Sequence, residues 1–114
     1  LEITFKTNKL RKQFNEKRQL EKLHGTLRAK KIRIRMGSLK AAASLQDFWP
    51  PKSGPERCHE LKGNFKGQIS VDLDHPYRLI FIPDHDPVPR LADGGLDWSQ
   101  VVAIKILGVE DTHE

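Results

Sequence analysis

A single cysteine, Cys58, occurs in the sequence. No intramolecular disulfide and no four-thiolate zinc site can therefore form, which excludes a disulfide-stapled secreted mini-protein. No apolar run approaches the roughly 20 residues that span a bilayer, and the opening L-E-I-T-F-K-T-N-K lacks the apolar stretch of a signal peptide. The expectation is a soluble cytoplasmic protein with no membrane contact. Internal repeats are absent, and Gly94 and Gly95 are not followed by the Lys and Ser/Thr of a phosphate-binding loop. Acidic residues are scarce in the first forty positions, where 13 Lys/Arg face 3 Asp/Glu, whereas the remainder has 7 against 12. The whole chain carries a net charge of +5. In a domain of this size the asymmetry predicts one basic face and one more acidic face, and a polyanion as partner of the first.

What is present fits one domain, 1–114, with enough apolar residues for a modest core. Glu2 to Phe5 alternates as a short strand. Thr7 or Asn8 can cap a helix running from Lys9 to about Leu23, ended by Gly25. Thr26 can cap a second helix whose Ala29, Ile32, Met36, Leu39 and Ala43 recur every three or four residues, although Lys31 to Met36 also alternates as a strand would. The stretch W-P-P-K-S-G-P-E, from Trp49 to Glu56, reads as a surface linker because its prolines remove donors and fix φ. Period-two segments follow at Cys58–Leu61, Gln68–Leu73, Tyr77–Ile82 and Val101–Leu107. An acidic loop from Pro83 to Trp98 interrupts them, long enough to be a functional excursion or a mobile flap. The order predicts an α+β domain, β-α-α-β-β-β-β, with two N-terminal helices packed on an antiparallel sheet.

Three pieces of the second half carry a resemblance: R-C-H-E-L-K-G-N-F-K-G-Q-I-S-V-D from Arg57 to Asp72, P-Y-R-L-I-F from Pro76 to Phe81, and V-E-D-T-H near the end. The ordered set of His59, Lys62, Gly63, Gly67, Tyr77, Arg78, Asp111, Thr112 and His113 resembles the HigB toxins of the RelE/ParE superfamily, the type II toxin–antitoxin and plasmid-maintenance killer proteins. The strand-helix-helix start also matches. Thr112 stands where the family usually has Tyr, and the loop from Pro83 to Trp98 is longer than in compact relatives.

The resemblance implies ribosome-dependent cleavage of messenger RNA by 2′-hydroxyl attack on the adjacent phosphate, with no metal and no cofactor. Such a reaction needs a group to take the 2′ proton, one to protonate the leaving 5′ oxygen, and cations where charge grows on phosphorus. His59 and His113 are candidates for proton transfer because imidazole titrates near neutrality. Lys62 and Arg78 are candidates to hold the phosphate, and Asp111 to orient a histidine or assist as base. Lys62 joins His59 only if the strand has turned at Gly63. Candidate RNA contacts are Lys9, Arg11, Lys12, Lys17, Arg18, Lys30, Lys31, Arg33 and Arg35 on the helices, with Lys66 and Thr112 beside the site. The implied partners are the ribosome and its message, a HigA-like helix-turn-helix antitoxin, and operator DNA through the antitoxin complex.

Taken singly, each residue also has an ordinary reading. His59 can be a hydrogen-bonded strand histidine, Lys62 and Lys66 solvated turn lysines, and Arg78 the partner of Asp72 or Asp74 in a salt bridge. Cys58 reads as a buried thiol, Trp49 and Trp98 as core or lid residues, and Asp84-His85-Asp86 as a solvated loop rather than a metal site. Two other functions stay open: a ParE-like poison of DNA gyrase without nuclease activity, and a decayed module that only binds RNA or regulates its operon.

Overall fold

The computed structural model describes residues 1–112. Its elements are β1 (Glu2–Phe5), α1 (Asn8–Asn15), α2 (Lys17–Ala41), β2 (His59–Glu60), β3 (Ile69–Asp72), β4 (Tyr77–Pro83) and β5 (Ala103–Asp111). Short 3₁₀ turns lie at Leu45–Phe48, Gly63–Phe65 and Trp98–Gln100.

Local chemistry sets the helix boundaries. The Thr7 hydroxyl accepts from the Leu10 amide at 3.1 Å and so caps α1. The predicted single first helix is instead broken at Glu16 (φ −118°, ψ 113°), and α2 is interrupted at Gly25 (φ 79°, ψ 165°). Those two breaks explain why the apolar stripe drifts: Leu10 and Phe14 belong to α1, Leu20 begins a new axis, and Leu23 is left exposed. Beyond Gly25 the residues are helical, which decides against a strand at 31–36. Ala29, Ile32, Met36 and Leu39 form the buried stripe, but the helix stops at Ala41, so Ala42 is buried in place of Ala43.

The sheet order is β1-β5-β4-β3-β2. Three successive reversals make β2 to β5 an antiparallel meander, whereas β1 pairs parallel with β5. The sheet is therefore mixed rather than wholly antiparallel. The helices carry the chain from β1 at one edge to β2 at the other, and the meander's odd number of reversals returns β5 running alongside β1 in the same direction. One face of the sheet presents Ile69, Val71, Leu79, Phe81, Ile104 and Ile106 to the α2 stripe as one apolar core. Each such side chain contributes about 1.5–3 kcal/mol on burial. Phe5 and Phe14 pack edge to face at 5.5 Å, docking α1 on the first strand.

Arg35 belongs to this interior. It is 8% exposed, and its guanidinium donates to the backbone oxygens of Asp72 at 2.7 Å and Pro55 at 3.2 Å. Its expected role as an RNA contact is overturned, because the donors are used inside the fold to tie α2 to β3 and the proline-rich connection. The loop after Pro83 is likewise built in: Leu96 and Trp98 are buried in the core, and the Asp97 side chain caps the turn that follows. Within it, His85 Nε2 accepts from the amides of Val102 at 3.1 Å and Ala103 at 3.3 Å, and Asp84 accepts from Thr4 at 2.9 Å. Asp84 and His85 therefore fasten the loop to the sheet.

Candidate functional site

The sheet face opposite the helices is laid out by strand pairing. His59 pairs with Ser70 and Ser70 with Ile80; the next row is Asp72, Arg78 and Glu110. Paired residues project to the same side, so His59, Ser70, Asp72, Arg78 and Glu110 share this face.

A β-bulge decides what joins them. Ile80 pairs with Gly108 but Phe81 pairs with Ile106, which leaves Leu107 without a partner. Gly108 adopts φ 146°, a conformation that side chains with a Cβ rarely take. The extra residue reverses the alternation of β5. Ile104 and Ile106 face the core, then Val109 and Asp111 do, while Glu110 and Thr112 turn to the Arg78 side. Accordingly Arg78 Nη1 donates to Thr112 Oγ1 at 3.0 Å, and Asp111 lies beside Tyr77 on the helix face. Among the candidates of the chain end, the structure brings Thr112 to Arg78 and sets Asp111 on the other side of the sheet; His113 lies outside the described residues.

Asp72 holds two guanidinium groups. Arg57 Nε is 3.2 Å from Oδ2, and Arg78 Nε is 3.6 Å from Oδ1. Asp72 bridges the two guanidinium groups, and Glu110, paired with Arg78 on the same face, brings the carboxylates to two against two arginines. Asp74, the other partner considered for Arg78, is taken by Arg28 at 3.0 Å. That hydrogen bond holds its carboxyl below the usual range. Arg28 also lies 3.5 Å over the Tyr77 ring, and His24 nearby is pushed down by burial and by the Arg28 charge.

His59 is 4% exposed, and its Nδ1 is 2.8 Å from the Arg57 carbonyl. A carbonyl only accepts, so Nδ1 carries the proton, and in the neutral ring Nε2 is the basic nitrogen. Lys62 ends in extended geometry before Gly63 (φ 61°), where the chain turns. The turn puts Lys62 and His59 on one groove, lined also by Pro51, Lys52 and Glu60. Lys66 is exposed at the end of the turn. Cys58 points to the helix side, where burial and then Glu56 and Glu60 push its thiol up to about 12. It is a core thiol and not a partner of His59.

The basic helix residues Lys9, Arg11, Lys12, Lys17, Arg18 and Lys30 are exposed, and Lys31 and Arg33 are half-buried. They occupy the layer behind the sheet from Arg78 and Thr112. Asn8 fixes the Arg11 fork at 2.7 Å and 3.1 Å. Sequence reasoning missed Arg57, Ser70, Glu110 and Lys52. Arg57 and Lys52 lie in or next to the proline-rich connection, where no periodicity assigns a direction, and both take positive φ. Ser70 and Glu110 become members only once the register is known. Ser70 Oγ is buried and has no hydrogen-bond partner among the described residues. Among the described residues, no group of three His, Cys, Asp or Glu converges as a metal-binding cluster would, and no helix is long and apolar enough to cross a membrane.

No protein-family model and no curated protein matches the chain. Among solved structures it is similar to a chain of the YoeB-YefM complex from Staphylococcus aureus, with 20% identity and a TM-score of 0.52 over 100% of this chain and 98% of that one. A YoeB dimer from the same organism matches with the same identity and coverage and a TM-score of 0.49. The likeness to the complex establishes the fold, two helices packed on a mixed five-strand sheet; it does not support HigB specifically.

Proposed function

We propose that this chain is a RelE-superfamily toxin of a type II toxin–antitoxin pair, acting as a ribosome-dependent endoribonuclease on messenger RNA. YoeB is a toxin of that superfamily, and the shared fold is consistent with the reading. The observation that carries it is the placing of His59 and Lys62 on one groove, with Arg78 on the same sheet face as His59.

In this mechanism the ribose 2′-oxygen attacks the adjacent phosphorus while His59 Nε2 takes its proton. The bond from phosphorus to the 5′ oxygen breaks, and that oxygen receives a proton from the second acid, for which His113 is the candidate. The products are a 2′,3′-cyclic phosphate and a 5′-hydroxyl. Arg78, supported by Asp72 and Thr112, and Lys62 stabilise the charge that develops on the phosphoryl oxygens. Asp111, on the Tyr77 side, serves in orienting the chain end rather than in proton transfer. Lys66 and the exposed helix lysines and arginines guide the protein to the ribosome. The antitoxin is the counterpart of YefM in the related complex, in the finer form a HigA-like helix-turn-helix protein that carries the pair to operator DNA. The site of action is the cytoplasm.

Inducing the wild-type and the His113→Ala chains in cells, with primer extension on a reporter message when translation is running and when it is blocked, tests this. Cleavage that requires translation and vanishes in the variant is the expected result. Growth arrest with an intact message would favour gyrase poisoning, and no arrest at all would favour a purely regulatory module.

A further inference from the structure

We propose that Trp49 is a stacking platform for an unpaired nucleobase, and that the groove beside it holds the adjoining backbone of single-stranded RNA. This rests on the nucleic-acid reading above and adds a ligand-contacting residue from the proline-rich connection.

Trp49 is 53% exposed, whereas its neighbour Trp98 is 2% exposed. An indole left in water forgoes a large apolar burial, yet this one is held in place. Its ring packs perpendicular to Trp98 with centroids 5.2 Å apart. Its backbone N–H donates to the Gln46 carbonyl at 3.0 Å, Phe48 anchors the preceding residue in the core, and Pro50 and Pro51 restrict the chain after it. Perpendicular packing leaves at least one face of the ring clear of Trp98, in a residue that is half exposed. A ring fixed this way has little freedom left to lose when a base stacks on it.

Its surroundings select the ligand. Trp98 Nε1 donates to Glu60 Oε2 at 3.3 Å, so the Trp49–Trp98 pair abuts the groove that holds Lys52, His59 and Lys62. The groove is lined by the cations Lys52 and Lys62 as well as by Glu60, which accepts from the Trp98 indole, so its cations outnumber its carboxylate. An open aromatic face beside cations is how proteins hold single strands, with stacking that tolerates any base. A protein partner would use the exposed ring too, but the groove lining is charged, with Pro51 as its apolar member.

The full chain labelled with 5-fluorotryptophan gives one ¹⁹F resonance for each Trp, and Trp49→Phe identifies which belongs to Trp49. Titration with single-stranded octauridine and octaadenosine, and with the duplex the two form, is expected to shift the Trp49 resonance saturably for the single strands and not for the duplex. Trp49→Ala should weaken single-strand binding by about tenfold and Trp49→Phe by less than about threefold. Binding that leaves the Trp49 resonance still, binding unaffected in Trp49→Ala, or no binding by either strand overturns the proposal. So does a resonance that moves only with a protein partner. Message cleavage is read separately: stacking without cleavage keeps the platform and removes the nuclease, whereas cleavage with a silent Trp49 removes the platform alone.

Discussion

Arg78 and Thr112 meet through a 3.0 Å hydrogen bond that exists because Leu107 is unpaired in β5. Without that bulge, strict alternation would turn Thr112 toward the core and Asp111 toward Arg78. The facing of Asp111 and Thr112 thus depends on Gly108 at φ 146°.

Gly108→Val is expected to destabilise the protein by about 1–3 kcal/mol, the strain of a disallowed backbone angle, since no neighbouring atom lies within 4 Å to obstruct a Cβ. Thr112→Val, which only removes the acceptor for Arg78, should cost about 1 kcal/mol. Urea unfolding of both variants checks the ranking. A Gly108→Val chain as stable as wild type would mean that the bulge is not required.

Arg35→Met removes two buried donors and leaves the carbonyls of Asp72 and Pro55 without them, at an expected cost of about 1–3 kcal/mol. Lys30→Met, four residues from Ile34 on the exposed side, should stay within about 0.5 kcal/mol of wild type. Lys30→Met should instead weaken ribosome association at low salt, while Arg35→Met should not do so once its lower stability is accounted for. Melting curves and sedimentation with ribosomes at two salt concentrations separate the effects.

Acid stability should depend on Asp74. Its carboxyl is held below the ordinary 3.8 by the Arg28 hydrogen bond, so the folded state binds its proton less readily than the unfolded chain. The contribution is present above pH 3.8 and is lost as pH falls through the folded value. Asp74→Asn should reduce stability near neutrality by about 0.5–1 kcal/mol, the figure for a partly solvated pair, and should flatten the acid limb of the stability curve. An unchanged acid limb in the variant would contradict the assignment.

Cys58 should resist alkylation in the folded protein at about pH 8 and react fully in denaturant, because burial removes access and keeps the thiol protonated. Its folded value of about 12 lies above the ordinary 9.0. The unfolded thiol therefore ionises first, and stability falls as pH rises from 9.0 toward 12. Cys58→Ala should lose that alkaline component. Rapid iodoacetamide labelling of the native chain would show the thiol to be accessible.

The fold was largely legible in the sequence because its signals are local. Alternation at Gln68–Leu73 and Tyr77–Ile82, the stripe from Ala29 to Leu39, and Gly25 each report a backbone state within a few residues. The break at Glu16 was hidden because no Gly or Pro marks it; Lys17 through Leu23 continue a helical composition while the axis turns. Part of the candidate site was legible for the same local reason: Gly63 at positive φ delivers Lys62 to the His59 groove as its turn chemistry requires. The rest depended on register. Nothing in A-I-K-I-L-G-V-E-D announces which residue of β5 is skipped, so the facing of Asp111 and Thr112 could not be read. Arg35 was misread because charge alone marks a surface residue, whereas two unpaired carbonyls on neighbouring segments had drawn it inside.

The central claim is most directly tested by the ends of the RNA. Purified protein added to a reconstituted translation reaction should cut the reporter message only while ribosomes translate it, leaving 5′-hydroxyl and 2′,3′-cyclic phosphate ends, and His59→Ala should reduce the rate by about a hundredfold or more, the usual scale for a lost proton-transfer group. An intact message, or cleavage that leaves 5′-phosphate ends, would contradict the account.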